Sequence, residues 1–89
     1  MKKDTREKDV DSIVKLLTEI VEDRTVPRNI RASVEEAKKN LTQDDGRDWD
    51  VRVSAAISIL DEITNDPNIP SYTRTQIWNI VTMMEMIKS

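Results

Sequence analysis

Apolar residues recur along the chain with the spacing of an α-helix in four separate segments. Residues three and four positions apart share one face of a helix, so this spacing predicts helices that each bury one narrow stripe. The stripes consist of Val10, Ile13, Val14, Leu17, Ile20 and Val21; then Ile30, Val34, Ala37 and Leu41; then Val53, Ala56, Ile57, Leu60 and Ile63; and finally Ile77, Ile80, Val81, Met84 and Ile87. Sustained alternation of apolar and polar residues, which would predict strands, is missing from the sequence.

Polar residues and the single glycine mark the expected helix ends. Asp4 or Thr5 is a suitable N-cap for the first helix, and Asp48 is suitable for the third. Gly46 predicts a stop after the second helix, because glycine readily adopts the left-handed backbone found at helix ends. We therefore predict helices near residues 6–23, 26–42, 48–64 and 69–87, within a single domain of residues 1–89.

Two stretches, DRTVPRNIR and, 43 residues later, DPNIPSYTR, are nearly the same. In each stretch a proline, Pro27 or Pro70, is expected in a first helical turn, where its missing N–H would be unbonded anyway. Thr25 and Asn68, two residues earlier, are the expected N-caps. Each stretch predicts a tight turn, and connections this short make consecutive helices antiparallel.

The similarity between the two halves extends into the helices. At the same offset of 43 residues the matching pairs include Asp23/Asp66, Val26/Ile69, Arg31/Arg74, Val10/Val53, Leu17/Leu60, Glu19/Glu62 and Ile20/Ile63. Two hairpins are too few for an α-solenoid, which needs at least about three stacked units. We therefore predict an all-α, antiparallel up-and-down four-helix bundle built from two repeated helical hairpins, at about residues 6–43 and 48–87.

Composition narrows the chemistry that this chain can perform. The sequence contains no Cys and no His, which removes thiol chemistry, the usual general base and the commonest transition-metal ligand. Its net charge is −3 with 35% charged residues, so there is no bulk attraction to nucleic acid or anionic lipid. No apolar run approaches the roughly 18 residues of a membrane span. We expect no membrane association and a cytoplasmic location.

Three patterns that resemble catalytic or metal sites have simpler interpretations. The stretch DDGRDWD holds four Asp near a Gly but lacks the ligand spacing of a calcium-binding EF-hand loop, so it is expected to be a solvated loop. Glu19 and Glu62 correspond in the two halves, and each is expected to face water, where nothing shifts its pKa towards catalysis. One glycine cannot form a phosphate-binding loop. We therefore expect no enzyme activity, no catalytic residue, no cofactor and no metal.

The acids and arginines of the two turns, Asp23 with Arg31 and Asp66 with Arg74, predict an ion pair or hydrogen bond across each turn. Such a contact holds the arginine near the end of the preceding helix, and an exposed pair contributes about 0.2–1 kcal/mol. Arg52 lies about midway in sequence between these two arginines and belongs to a third, weaker match to the same pattern, the stretch DWDVRVSAA.

One group of basic residues is a candidate nucleic-acid face. It lies on the outer side of helix 2 and consists of Arg24, Arg28, Arg31, Lys38 and Lys39. These side chains could follow phosphates. Aromatic residues for base stacking are missing among them, and Glu35 and Glu36 interrupt the group, so a mixed solvated face is the other interpretation.

The second half of the chain carries more apolar residues than the first. Where helix 2 has Glu35, Asn40 and Gln43, helix 4 has Trp78, Met83 and Met86, and where helix 1 has Lys8 and Ser12, helix 3 has Val51 and Ala55. At about 100° per residue, Val51, Ala55 and Ile59 point roughly 110–170° away from the helix 3 stripe. This surplus is either buried in an asymmetric bundle or contacts a partner. The candidate contact residues are Val51, Ala55, Ile59, Trp78, Met83 and Met86.

Three stretches, EDRTVPRNIR, VRVSAAISILDEI and NDPNIPSYTRTQIWNIV, together span most of residues 22–81. On these stretches the chain resembles a family of small archaeal proteins of unknown function. The resemblance implies a compact up-and-down four-helix fold and an archaeal, cytosolic setting. It implies no activity and no site residues.

Without catalytic machinery and with surplus apolar surface, the sequence favours a non-catalytic protein–protein interaction module. The simplest partner is a second copy of the chain in a two-fold symmetric dimer, with Trp78 as the main contact. The alternative is an RNA- or ribosome-associated protein that docks through the basic face of helix 2.

Overall fold

A computed structural model describes the backbone of residues 2–88 and the side chains of residues 8–88. The described backbone forms four helices and no strand, which confirms the all-α prediction. The helices are α1 (Lys2–Val21), α2 (Arg28–Thr42), α3 (Trp49–Ile63) and α4 (Ser71–Met86). The body measures 39 × 22 × 19 Å, so its length is set by single helices lying side by side.

The four helices form a closed ring of neighbours. Helix α2 packs on α1 and α3, and α4 packs on the same two helices, whereas within residues 2–88 the backbones of the diagonal pairs lie farther apart. At one end of the ring the indole N–H of Trp49, at the start of α3, donates a 3.1 Å hydrogen bond to the carbonyl of Ile87, just after α4. This packing is that of a four-helix bundle. The antiparallel order and the duplication of the whole hairpin stay predictions, although the Trp49 contact is one that antiparallel neighbours make.

The core lies along the centre of the ring and is almost entirely aliphatic. Every residue of the stripes predicted for α2 and α3 is buried. The stripe of α1 is buried at Ile13, Leu17 and Ile20, while its flanking valines are half-buried. Fully burying one such side chain contributes about 1.5–3 kcal/mol. The sequence pattern did not reveal that Val26 and Ile69, which lie in the turns between helices, are also part of this core.

The two turns have the same hydrogen-bonding pattern. In the first, the backbone N–H of Thr25 donates to the Asp23 carboxylate at 2.9 Å, and in the second, Asn68 N–H donates to Asp66 at 2.8 Å. In both turns the N–H of the following apolar residue, Val26 in the first, donates 3.1 Å to the carbonyl of that Asp. This backbone turn places Val26 and its counterpart inward, which explains their burial.

Several predicted helix ends differ from the structure. Thr25 and Asn68 are not N-caps, because they are held by aspartates and the N-cap positions belong to Pro27 and Pro70. Helices α2 and α4 therefore begin two residues later than predicted.

The start of α1 is a further correction, and the α2–α3 loop agrees with expectation. Asp4 and Thr5 lie inside α1, which begins at Lys2, so neither is its N-cap. Asp48 does occupy the N-cap position of α3, without a side-chain hydrogen bond to the helix. Gly46 lies after the end of α2 with a φ of +92°, a value that favours glycine.

Arginines bind backbone carbonyls at the helix connections. Arg31 Nε donates to the Val26 carbonyl at 3.0 Å, and Arg74 Nε donates to the carbonyl of Thr64, at the end of α3, at 3.1 Å. The predicted contacts between Asp23 and Arg31 and between Asp66 and Arg74 are therefore not formed, because each aspartate accepts hydrogen bonds within its own turn and each arginine binds a carbonyl instead. Each arginine satisfies a carbonyl that has no partner within its helix or turn.

Arg52 makes the most extensive of these contacts. Its Nε and Nη2 donate to the carbonyls of Asn40 and Leu41, in the last turn of α2, at 3.0 and 2.8 Å. Its guanidinium lies 5.3 Å from the centre of the Trp49 ring. Since Trp49 also donates to Ile87, these two side chains join the end of α2, the start of α3 and the end of α4.

Replacing Arg52 tests whether this junction stabilises the bundle. We expect Arg52→Met to lower the free energy of unfolding by about 1.5–3 kcal/mol, because two carbonyls lose charged hydrogen-bond donors while the aliphatic packing is kept. Urea unfolding followed by circular dichroism measures the change. Arg28→Met, at an exposed position, is the control and should change stability by about 0.5 kcal/mol or less. Equal effects of the two substitutions would contradict the stabilising role of Arg52.

A second prediction concerns Asp23, whose pKa is held below its ordinary value. The hydroxyl of Thr25, which donates to the carboxylate at 2.6 Å, is the main cause, and its backbone N–H and the charge of Arg31 add to it. Folding lowers this pKa, so the stabilisation is present above the ordinary value and is lost as pH falls through the lowered one. Thr25→Ala should raise the Asp23 pKa in a carbon-13 NMR titration. Thr42→Ala, whose hydroxyl binds only a backbone carbonyl, should leave it unchanged.

Candidate functional site

Large apolar side chains are exposed at four places among residues 8–88. The exposed fraction is 50% for Val51, 71% for Tyr72, 54% for Trp78 and 79% for Met86. Three of the four lie on α4, one near each end and one in the middle. Single exposed apolar residues are ordinary, but several along one helix mark a surface that is suited to contact another molecule.

Helix α4 is also nearly free of charge. From Ser71 to Met84 its one charged residue is Arg74, which is half-buried against the carbonyl of Thr64. In the same length of α2 there are six charged residues. Most exposed side chains of α4 are apolar or uncharged polar, and six of them, Tyr72, Thr75, Trp78, Asn79, Thr82 and Met86, are here called the α4 face. Glu85, next to Met86, is exposed and charged, and it pairs with Lys88 at 3.9 Å.

The predicted contact residues do not form one surface. Trp78 and Met86 belong to the α4 face, and Met83, half-buried against the core, lies beside Met86 at a cavity of about 210 Å³ that Asp9 of α1 also lines. Val51, Ala55 and Ile59 lie on α3, the first exposed and the others half-buried. Ile59 shares the side of α3 that carries Arg52 and faces α2, so these three residues do not join the α4 face.

An open groove of about 320 Å³ runs between α1 and α4, next to the α4 face. Its walls are formed by Leu16 and Glu19 from α1 and by Gln76 and Ile80 from α4, with Tyr72, Thr75 and Asn79 along the rim. The side-chain oxygen of Gln76 is buried and has no hydrogen-bond partner among residues 8–88. A buried acceptor without a partner costs about 1–3 kcal/mol, so this position is unfavourable for the stability of the bundle.

The size of the side chains explains why the groove lies at this pair of helices. Thr75, Gln76 and Ile80 of α4 face α1, and the residues 43 positions earlier on α2 are the smaller Ala32, Ser33 and Ala37. Small residues let helices approach closely, and α2 and α3 are the most closely packed pair, whereas both neighbours of α4, which are α1 and α3, are packed less closely against it. Larger residues on α4 hold the helices apart and leave the groove open.

The acidic residues that a metal or catalytic site would need lie apart from one another. No cluster of three or more Asp, Glu, His or Cys side chains with metal-binding geometry occurs among residues 8–88. In the loop DDGRDWD, Asp45 pairs with Arg47 at 2.8 Å, and this contact lowers the Asp45 pKa. Glu19 and Glu62 are exposed on α1 and α3, a diagonal pair of helices whose backbones do not approach closely.

The candidate nucleic-acid face is only partly available. Arg24, Arg28 and Lys39 are exposed, while Lys38 is half-buried and Arg31 is both half-buried and bonded to the Val26 carbonyl. Helical spacing places Glu35 between Arg28 and Lys39 on the outer side of α2.

Comparison with known proteins identifies the family. The model of an uncharacterised protein family, UPF0147, matches residues 1–87. The chain belongs to the UPF0147 family. A UPF0147 protein of Methanocaldococcus jannaschii is 50% identical over 84 residues, which cover 94% of this chain and 89% of that protein. Another from Sulfurisphaera tokodaii is 49% identical over 73 residues, covering 82% and 81%. This result confirms the resemblance seen in the sequence.

Solved structures of related proteins have the same fold. A crystal structure of a protein of unknown function is 49% identical, covers 91% of each chain and superposes with a TM-score of 0.85. A UPF0147 protein from Thermoplasma acidophilum is 33% identical, covers 92% of this chain and 95% of its own, and also gives a TM-score of 0.85. Both relatives confirm the four-helix architecture, and the named organisms are archaea, as the resemblance implied.

Two features of this UPF0147 chain escaped the sequence analysis. Tyr72 was not recognised as part of a surface, although the sequence shows that Arg74 is the one charged residue from Ser71 to Met84. Gln76 and the groove were missed as well, because an unpartnered side-chain oxygen depends on how far α1 and α4 stand apart. None of the described helices combines the length and apolar character that crossing a bilayer requires.

Proposed function

We propose that this UPF0147 protein is a non-catalytic protein–protein interaction module that binds its partner through the α4 face. The observation that supports the proposal is the absence of charge on the exposed part of α4 from Tyr72 to Thr82, together with exposed Trp78 and Tyr72. Protein interfaces are depleted in charge at their centres and enriched in tyrosine, tryptophan and methionine. On the basis of its sequence we place the protein in the cytoplasm.

Trp78 is the expected centre of the contact. It lies near the middle of α4 and is 54% exposed, so a partner can still cover much of its ring. Tryptophan residues covered at an interface often contribute about 2 kcal/mol or more. The residue 43 positions earlier on α2 is Glu35, which indicates that a helix in this fold does not need an apolar side chain at that position.

A second copy of the chain is the simplest partner within this proposal. Two copies that meet across a two-fold axis bring identical surfaces together, so a charged surface would face its own charge. From Tyr72 to Thr82 the α4 face avoids that repulsion, although the protein as a whole carries a net charge of −3, and the charge of Glu85 at the end of the helix is paired with Lys88. We therefore propose a homodimer in which α4 packs against α4.

A second candidate function is binding to RNA or the ribosome through α2. The exposed side chains of Arg24, Arg28 and Lys39 favour it, since cations on one side of a helix can follow phosphates. Glu35 and the use of Arg31 within the fold oppose it. The two functions differ in salt dependence, because phosphate contacts weaken steeply with added salt and apolar contacts do not.

The dimer is tested by Trp78→Glu. We expect sedimentation of the wild type as a dimer and of this variant as a monomer at the same micromolar concentration, because the charge would have to be buried between copies. The variant should stay helical and lose about 1 kcal/mol of stability or less, since Trp78 is exposed in the monomer. Val51→Glu, at an equally exposed position on α3, should leave association unchanged. A wild type that sediments as a monomer at high micromolar concentration would exclude the dimer.

Capture from the native host separates a protein partner from RNA. We expect the wild type to keep its partner bound after nuclease treatment and in about 0.5–1 M salt. Exposed charges are already largely screened at roughly 0.1 M salt, so contacts between them do not hold a partner at the higher concentration. The same partner should be lost with Trp78→Glu and kept with Arg28→Glu. Loss on nuclease treatment or with Arg28→Glu alone would favour the α2 function instead.

A further inference from the structure

We propose that the bond between Asp45 and Gly46 is the site at which this protein undergoes spontaneous aspartate isomerisation, and that Arg47 slows the reaction. The site lies in the loop between α2 and α3, where the side chains of residues 42–48 are exposed to water. This modification site is separate from the α4 face, so the proposal goes beyond the proposed function and does not depend on a partner.

Isomerisation begins when the backbone nitrogen that follows an aspartate attacks the carboxyl carbon. The new N–Cγ bond closes a succinimide ring, while the nitrogen gives up its hydrogen and the carboxyl group its hydroxyl, so that one water molecule leaves. Water then opens the ring again. Cleavage of the N–Cγ bond restores aspartate, and cleavage of the bond between the nitrogen and the main-chain carbonyl carbon gives isoaspartate. Glycine favours the attack because it has no side chain in the way, and Asp45 with Gly46 is the one Asp–Gly pair in the sequence.

The loop needs both residues of this pair for its shape. Gly46 has a φ of +92°, which side chains rarely allow, although a Cβ atom there would meet no other atom within 4 Å. The Asp45 carboxylate accepts the backbone N–H of Arg47 at 3.2 Å, which forms a turn through the side chain. The turn that leads towards α3 therefore favours a sequence that is chemically reactive.

The side chain of Arg47 holds the Asp45 carboxylate in place. Its Nε atom donates to both carboxylate oxygens at 3.0 Å, and its Nη2 atom lies 2.8 Å from Oδ2. Nη2 also donates to the side-chain oxygen of Asn40, in α2, at 2.7 Å, so the guanidinium is fixed on a second side. Ring closure removes one carboxylate oxygen and turns the group towards Gly46, so the reaction has to break these contacts.

The charge of the pair acts in the same direction as its geometry. The carboxyl group loses a hydroxyl during ring closure, so the neutral acid is the reactive form. Hydrogen bonds from the Arg47 side chain are the main cause that holds the Asp45 pKa below its ordinary value, which makes the neutral acid rarer at a given pH. The attacking nitrogen is occupied as well, since the N–H of Gly46 donates to the Asp44 carboxylate at 3.3 Å.

Isoaspartate would alter the connection between α2 and α3. It carries the backbone through its own side chain and so lengthens the loop by one methylene group. Asn40, which binds Arg47 through its side chain, also accepts Nε of Arg52 through its carbonyl. We therefore expect isomerisation at Asp45 to loosen the end of the bundle that Arg52 holds.

Incubation of the full chain at a pH of about 5, above the ordinary pKa of aspartate, tests the proposal. Electron-transfer fragmentation in a mass spectrometer distinguishes isoaspartate from aspartate and locates it in the sequence. We expect isoaspartate at residue 45 to accumulate about two- to fivefold faster in Arg47→Met than in the wild type, the range that one exposed ion pair supports.

Arg28→Met is the matched control. It removes an exposed arginine at the start of α2, so the rate at residue 45 should equal that of the wild type. Arg47 and Arg28 are both on the surface, so both variants should stay folded, which circular dichroism checks.

The dependence of the rate on pH shows whether Arg47 acts through the carboxylate. The rate should rise as pH falls and the Asp45 carboxylate takes up a proton, and the midpoint of this rise should lie at higher pH in Arg47→Met, because the pKa is no longer lowered. A loop that is merely less ordered would react faster without a change in the midpoint, and that result would overturn the proposed role of Arg47. Equal rates in Arg47→Met and the wild type would do the same, and isoaspartate that forms as fast at Asp44 as at Asp45 would exclude the proposed site.

Discussion

Burial of four narrow aliphatic stripes against one another is the constraint on which the rest of this structure depends. The chain has no phenylalanine, and neither tryptophan lies in the core, so isoleucine, leucine and valine side chains such as Ile13, Val34 and Leu60 fill the centre. A helix with one stripe is covered only when it has neighbours on both sides of that stripe. The ring in which α1, α2, α3 and α4 each touch two others meets this need with a chain of 89 residues.

Polar contacts at the ends of the helices add to the stabilisation that the buried core provides. The last carbonyls of a helix have no partners within it, and in this bundle arginines from the following helix bind them. Because Arg52 also lies over Trp49, and Trp49 binds the end of α4, one end of the bundle is fixed by two side chains. Between α1 and α4, in contrast, Gln76 Oε1 is buried without a hydrogen-bond partner in the part of the chain whose side chains are described. Carbonyls at the end held by Arg52 and Trp49 thus have hydrogen-bond donors, whereas a buried acceptor beside the α4 face does not.

The sequence predicted the helices and most of the core because periodic stripes are a local property of the chain. Residues such as Ile57 and Met84 are buried where the spacing placed them. The prediction that Thr25 is an N-cap was wrong. A threonine before a helix can either cap that helix or bind a preceding aspartate, and here it binds Asp23. The candidate site was predictable only at Trp78 and Met86. The groove depends on the separation of two helices that are distant in sequence, which composition and spacing do not report.

The two tryptophans lie in different surroundings, so the intrinsic fluorescence of the protein reports on two places in the structure. Trp49 is half-buried, hydrogen-bonded and covered by a guanidinium, whereas the Trp78 ring stands mostly in water. Indole emission moves to shorter wavelength when water is removed from the ring, so the emission of the native chain consists of a bluer and a redder part. Binding of a partner to α4 changes the redder emission of Trp78, and loosening of the contacts between α2 and α3 changes the bluer emission of Trp49. Binding and integrity of the fold can therefore be followed separately without any attached dye.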